Sequence, residues 1–225
     1  MTLARRVVIE ALGTALLLAT VVGSGIMAES LAGGSVALAL LCNTLATGAV
    51  LVALLLALGP LSGAHFNPVV TLVLASRGEH RWGDVPGYIG AQLLGAVAGV
   101  VIAHGMFDLA LLAPSEHVRA GFAQGLSEVV ATAGLVLVVL LVGRRKDATA
   151  PYAVGAYITA AYWFTASTSF ANPAVTLARA LTPTFAGIRP LDVPLYVTAQ
   201  LAGGALAAGL VRWIERGASS KESPT

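Results

Sequence analysis

Asparagine followed by proline heads a short apolar segment twice in this chain, at Asn67-Pro68-Val69 and Asn172-Pro173-Ala174. The pairing has a definite chemistry. Proline suits the first helical position, because its missing N–H would have no intrahelical partner there. Asparagine just before it is among the best N-caps, its side-chain oxygen accepting a backbone N–H of the first turn. That bond fixes the amide, so its NH₂ can point away from the helix as a donor. Two such donors, each at the positive end of a helix dipole, would hold a solute with lone pairs and present positive potential to a cation. Glu10 and Glu128 are the acids that fall deep inside apolar runs. They can accept backbone N–H groups from irregular loops at mid-depth, or serve as the carboxylates of a proton-coupled transporter. Their symmetric placement favours the supporting role.

The elements that carry these residues follow from composition. Of the 225 residues 57% are hydrophobic and 11% charged, and the mean hydropathy is +0.84. A soluble domain carries about 25% charged residues, so a soluble enzyme is excluded and an integral membrane protein remains. A net charge of +2, with its basic residues scattered, points to no nucleic-acid partner. Cys42 stands alone in an apolar run. It excludes an internal disulfide and a cysteine metal cluster, and reads as a small buried hydrophobe. No metal, cofactor or catalytic residue is expected.

Six runs are long enough to cross a ~30 Å hydrocarbon core as helices: 7–27, 36–58, 85–106, 121–142, 151–168 and 193–214. The first is too long, and too acidic with Glu10, for a cleavable signal. Ten Lys and Arg residues fall on one side (Arg5, Arg6, Arg77, Arg81, Arg144, Arg145, Lys146, Arg212, Arg216, Lys221) and three on the other (Arg119, Arg179, Arg189). That bias predicts both termini in the cytoplasm. Residues 217–225 read as a short disordered tail.

The two halves repeat each other. Glu10-Ala11-Leu12-Gly13-Thr14 is answered by Glu128-Val129-Val130-Ala131-Thr132, and the first Asn-Pro segment by the second. Tyr88-Ile89-Gly90-Ala91-Gln92-Leu93-Leu94-Gly95 is answered by Tyr196-Val197-Thr198-Ala199-Gln200-Leu201-Ala202-Gly203. The three offsets are 118, 105 and 108 residues. Three spans per half is an odd number, so the second half, approximately 120–215, is inverted relative to the first, approximately 5–107. The segments Pro68–Ser76 and Pro173–Leu181 are about 13 Å long as helices. They cannot span the membrane, but can dip to its midplane from opposite sides and mark a substrate path.

In these features the chain resembles the aquaporin and aquaglyceroporin (major intrinsic protein) family. Ser62-Gly63-Ala64-His65-Phe66-Asn67-Pro68-Val69 is similar to the family's first signature loop and Asn172-Pro173-Ala174 to its second, and the likeness covers residues 5–215. It implies an all-α membrane protein of six transmembrane helices plus two re-entrant half-helices. It also implies a homotetramer in the lipid bilayer, each protomer with its own pore. Aquaporin-type pores are themselves the standing example of cation exclusion by half-helix dipoles. The resemblance maps pore-lining carbonyls to Gly63, Ala64, His65 and Phe66, and to Thr168, Ser169 and Phe170. It puts the selectivity filter at Thr47, Ala160, Ser169 and Val175. The family expects Arg at the last of these and Ala in place of Val69. Thr, Ala, Ser and Val would make a wide, uncharged, mildly polar filter.

Arg179 lies one helical turn beyond Val175, on nearly the same face. It reads either as a displaced positive ring at the outer mouth or as a helix-end Arg snorkelling to water. His65 contributes to a constriction or pH gate, or is a packed loop residue; His104 and Trp163 are expected at the membrane interfaces. The resulting reading is a passive channel for small uncharged solutes: water, glycerol-like polyols and neutral metalloid hydroxides such as arsenous acid. It looks most like bacterial family members associated with arsenic resistance. A water-selective pore, a membrane structural protein with an incidental pore, and an ion-coupled transporter are the alternatives.

Overall fold

The computed structural model describes residues 1–144 and 149–219, and its described elements are helical. They run α1 (Leu3–Leu31), α2 (Val36–Ser62), α3 (Pro68–Ser76), α4 (Val85–Met106), α5 (Phe122–Val142), α6 (Ala150–Phe164), α7 (Pro173–Arg179) and α8 (Val193–Ser219). Five of them (α1, α2, α4, α5 and α8) are long and apolar enough to cross a membrane. The repeat seen in the sequence reappears as packing. α1 lies against α2 and α4, α5 lies against α6 and α8, and α2 meets α6 between the halves. Three-residue 3₁₀ turns at Trp82–Asp84 and Pro190–Asp192 lead into α4 and α8.

Small residues set the tightest of these crossings, as close packing in lipid requires. A side chain added at Gly95 of α4 would collide with the Ala11 carbonyl of α1. One added at Gly203 of α8 would press on the Val129 carbonyl of α5. These are repeat-equivalent contacts between repeat-equivalent residues. At the end of the molecule that holds the chain's N-terminus, Arg6 donates to Asp84 at 2.8 Å. There the Arg77 guanidinium bridges Glu79 and Glu215, and Arg144 also meets Glu215. Hydrogen bonding to Arg6 holds the Asp84 carboxyl below the usual carboxylate range.

Several boundaries differ from the sequence expectation. The fifth run, expected helical to Thr168, stops at Phe164, so α6 has 15 residues and is about 22 Å long. Residues 165–172 leave the helix to build a loop. α7 ends at Arg179 rather than Leu181, and α8 continues to Ser219, through the start of the expected disordered tail. The rest of that tail, with Lys221, and the loop residues Arg145 and Lys146 lie outside the described residues. Cys42 is exposed on the outer side of α2 rather than buried. A uniformly apolar helix carries no sequence signal for which side faces inward, and that is why this expectation fails.

Candidate pore and its two half-helices

Asn67 and Asn172 sit at the N-caps of α3 and α7, in extended backbone with proline next in the chain. Asn67 Oδ1 accepts the Val69 N–H at 2.9 Å; Asn172 Oδ1 accepts those of Ala174 at 3.0 Å and Val175 at 3.4 Å. The amide nitrogens then cross over. Asn67 Nδ2 donates to the Ala171 carbonyl at 2.7 Å, and Asn172 Nδ2 donates to the Phe66 carbonyl at 2.8 Å. The two half-helices thus lock together cap to loop. Each amide carries two N–H groups, so one remains for the cavity that both side chains line.

The loops before the caps have an unusual backbone. Ala64 and Phe66 hold φ of 47°, and Ser169 and Ala171 hold φ of 49°, at positions 105 residues apart. A side-chain-bearing residue in this region costs of order 1–3 kcal/mol. The two buried acids stabilise it. Glu10 accepts the N–H groups of His65 (3.0 Å) and Phe66 (2.8 Å), with the Ser62 hydroxyl and Gln92 Nε2. Glu128 accepts those of Phe170 and Ala171, both at 2.9 Å, and Gln200 Nε2 at 2.6 Å. Gln92 and Gln200 in turn donate to Thr71 and Thr176, whose hydroxyls return to the Asn67 and Asn172 carbonyls.

A cavity of about 290 Å³ runs past both asparagines. Its walls come from α1, α2, α5 and α6 together with the two half-helices, while α4 and α8 stand behind. Most of the wall is aliphatic, including Leu17, Val21, Leu51, Leu55, Leu135 and Val139. Pro68, Val69, Pro173 and Ala174 are buried in the junction itself. Gly63, Ala64, His65, Phe66, Ser169 and Phe170 line the cavity, as do Thr47 and Val175.

Two expected site residues are placed elsewhere, and two acceptors differ from expectation. Ala160 is exposed and off the wall. The face of α6 that meets the cavity is Pro151, Val154, Ile158 and Tyr162. Residue 160 is about 200° round the helix from both 158 and 162. Counting back from Asn172 fails because the intervening loop is not helical. Tyr162 lines the wall, buried, with its hydroxyl 3.4 Å from Thr47 Oγ1. The cavity wall beside Thr47 therefore carries an aromatic ring and is not built of small side chains alone. Thr168 is half-buried and off the wall. The Phe66 carbonyl is taken up by Asn172, and the Ala171 carbonyl, absent from the sequence reading, plays the matching part. The i, i+4 spacing of Ile158 and Tyr162 was the available signal for the α6 face. The 105-residue repeat offset from Phe66 was the available signal for Ala171.

His65 is packed and cavity-lining at once. Its ring lies 4.9 Å from that of His80 and 5.1 Å from that of Tyr88, with Nδ1 3.1 Å from Thr71 Oγ1. Burial pushes the His80 imidazole below its ordinary value. His104 is buried, not interfacial, and ties Ala110 to Thr182 at 2.7 Å on each ring nitrogen; Trp163 is exposed. Arg179 is buried and lines the cavity, so it does not snorkel to the surface.

Comparison with known proteins agrees with this geometry. The family model "Major intrinsic protein" matches residues 1–169 and 144–224. An aquaglyceroporin of Rhizobium meliloti, AqpS, is 58% identical over 94% of this chain and 91% of its own length. Aquaporin Z of Bradyrhizobium diazoefficiens is 30% identical over 91% of each chain. A probable glycerol uptake facilitator protein of Thermotoga maritima is 33% identical over 69% of this chain and 76% of its own. The crystal structure of the aquaglyceroporin from Plasmodium falciparum superposes with a TM-score of 0.72 at 21% identity, covering 92% of this chain and 95% of that one.

Proposed function

This chain belongs to the major intrinsic protein family, whose members are channels rather than enzymes, and on that premise we propose that it passes small uncharged solutes passively. Water, glycerol-like polyols and neutral metalloid hydroxides such as arsenous acid are the solute class. The observation that carries the reading is the pair of asparagines, each donating to the opposite loop, in the middle of an aliphatic cavity. A dehydrated solute with lone pairs finds two N–H donors there, while hydrocarbon walls bind it too weakly to retain it. Thr47, Ser169 and Val175 add mild polarity and no charge at the constriction. The names of the relatives point the same way, three of them being aquaglyceroporins or glycerol facilitators.

The same proposal has it in the cell membrane as a homotetramer with both termini cytoplasmic. The grouping of Arg6, Arg77 and Arg144 near the chain's N-terminal end supports that orientation. One observation favours a narrower, water-selective pore: the Tyr162 ring where a small residue was expected. Stopped-flow permeability of proteoliposomes to water, glycerol, urea and arsenous acid, measured in parallel, separates the readings. Glycerol and arsenous acid flux above that of protein-free vesicles is expected. Water flux alone would mean a strict water pore, and no flux would mean an incidental one.

A further inference from the structure

Arg179 closes α7 one turn beyond Val175, 2% exposed, with its guanidinium carbon 3.4 Å from the centre of the Phe170 ring. Its Nε donates to the Ala186 carbonyl. Its two terminal nitrogens have no acceptor among the described residues, and the side chain forms part of the cavity wall. A second guanidinium stands by the same ring: Arg119, 5.2 Å away, is held by the carbonyls of Gly187 (2.8 Å) and Ser167 (3.5 Å). Neither arginine has a carboxylate within ion-pair distance among the described residues. In the same wall the Ser169 hydroxyl is buried with no partner. The repeat breaks here, because the position 105 residues earlier is Leu74, which also lines the cavity. Among the described residues that line the cavity, Arg179 is the one arginine or lysine.

We propose that Arg179 is the charge-selecting residue of this pore: its uncompensated guanidinium excludes cations at one mouth, while the constriction at Thr47, Tyr162, Ser169 and Val175 selects by size one turn further in. The proposal rests on the channel reading above. A buried positive charge without a counter-ion is costly to keep, and a role in rejecting other positive charges accounts for it. The ring beneath it and the Ala186 carbonyl hold the group in the cavity wall. An uncharged polyol or trihydroxide meets donors there, and a hydrated cation meets repulsion in a low dielectric. Charge and size are thereby read at two separate levels.

The test uses the full chain in proteoliposomes, with glycerol permeability and proton and methylammonium leak measured on the same vesicles. Arg179→Gln keeps a donor and removes the charge. Cation leak, expressed relative to glycerol permeability on the same vesicles, should rise at least about ten-fold, since the lost repulsion acts at close range in low dielectric. Arg179→Lys covers the case in which the glutamine protein does not assemble. A buried lysine gives up its proton on mild alkalinisation, surrounded here by Arg119, Glu128, Tyr162, Tyr196 and His117. Its leak should rise between about pH 7 and pH 9.5 while the parent's stays flat. An assembled Arg179→Gln that remains cation-tight, or a lysine protein with a flat profile, overturns the proposal. Failure of the parent to pass glycerol overturns the channel reading instead, and the two results are read on separate signals.

Discussion

At the scale of single residues, the site is built from polar atoms that each do two things. Asn172 caps its own half-helix through Oδ1 and ties down the opposite loop through Nδ2. Replacing it by aspartate leaves the cap but sets a carboxylate oxygen against the Phe66 carbonyl, acceptor against acceptor. An unpaired buried charge costs about 3–5 kcal/mol, so Asn172→Asp should lower the melting temperature in detergent. In assembled protein it should also cut glycerol flux or open a proton leak. A variant with the parent's melting temperature and both permeabilities unchanged would contradict the midplane role. Val175 offers a complementary substitution. Val175→Arg puts a long side chain into the proposed filter, in the cavity whose wall also holds the unpartnered Ser169 hydroxyl. The ratio of glycerol to water permeability should fall about ten-fold, equivalent to ~1.4 kcal/mol of added barrier. A ratio equal to the parent's in an intact assembly would take Val175 out of the filter.

The same economy holds at the scale of elements, where helix pairs stand at distances only glycine permits. Gly95 and Gly203 touch backbone carbonyls of α1 and α5, whereas Gly90, on the same helix as Gly95, faces open space. Gly95→Ala should therefore destabilise by about 1–3 kcal/mol through overpacking. Gly90→Ala should stabilise by about 0.5–1 kcal/mol, because alanine loses less chain entropy in a helix. Thermal unfolding in detergent compares the two directly, and equal shifts would mean the close crossing does not limit stability. The sequence disclosed both half-helices closely, α3 without error and α7 to within two residues. Proline and asparagine together mark a helix start by local chemistry alone. It misjudged the end of α6, because residues 165–168 are helix-compatible by type and turn away only to form the loop that Glu128 holds.

For the whole molecule the main question is whether transport is coupled to protons. Glu10 and Glu128 are the acids deep within the helical bundle, and both are fully buried. Their oxygens are occupied by loop N–H groups and a glutamine each, and neither lies in the cavity wall. No carboxylate among the described residues lines the path past the asparagines. Solute should accordingly equilibrate across vesicles and never exceed equilibrium when a pH gradient is imposed. Accumulation above that level, followed with radiolabelled glycerol, would require a coupled transporter.

Whatever depends on a residue's own type and its spacing along the chain was settled by the sequence itself. Hydropathy dictated a membrane protein, the matched motifs dictated a duplicated design, and the Asn-Pro pairs dictated two capped half-helices. The tertiary structure decided what depends on phase and meeting. Tyr162 rather than Ala160 lines the cavity because a non-helical loop resets the rotation of α6 relative to Asn172. The Asn67–Ala171 and Asn172–Phe66 bonds exist only once two loops over 100 residues apart are folded against each other. The left-handed backbone of Phe66 and Ala171 is likewise invisible in their side chains. It is imposed by carboxylates on α1 and α5 that offer acceptors in that geometry alone, an arrangement local propensity opposes and long-range hydrogen bonding overrides.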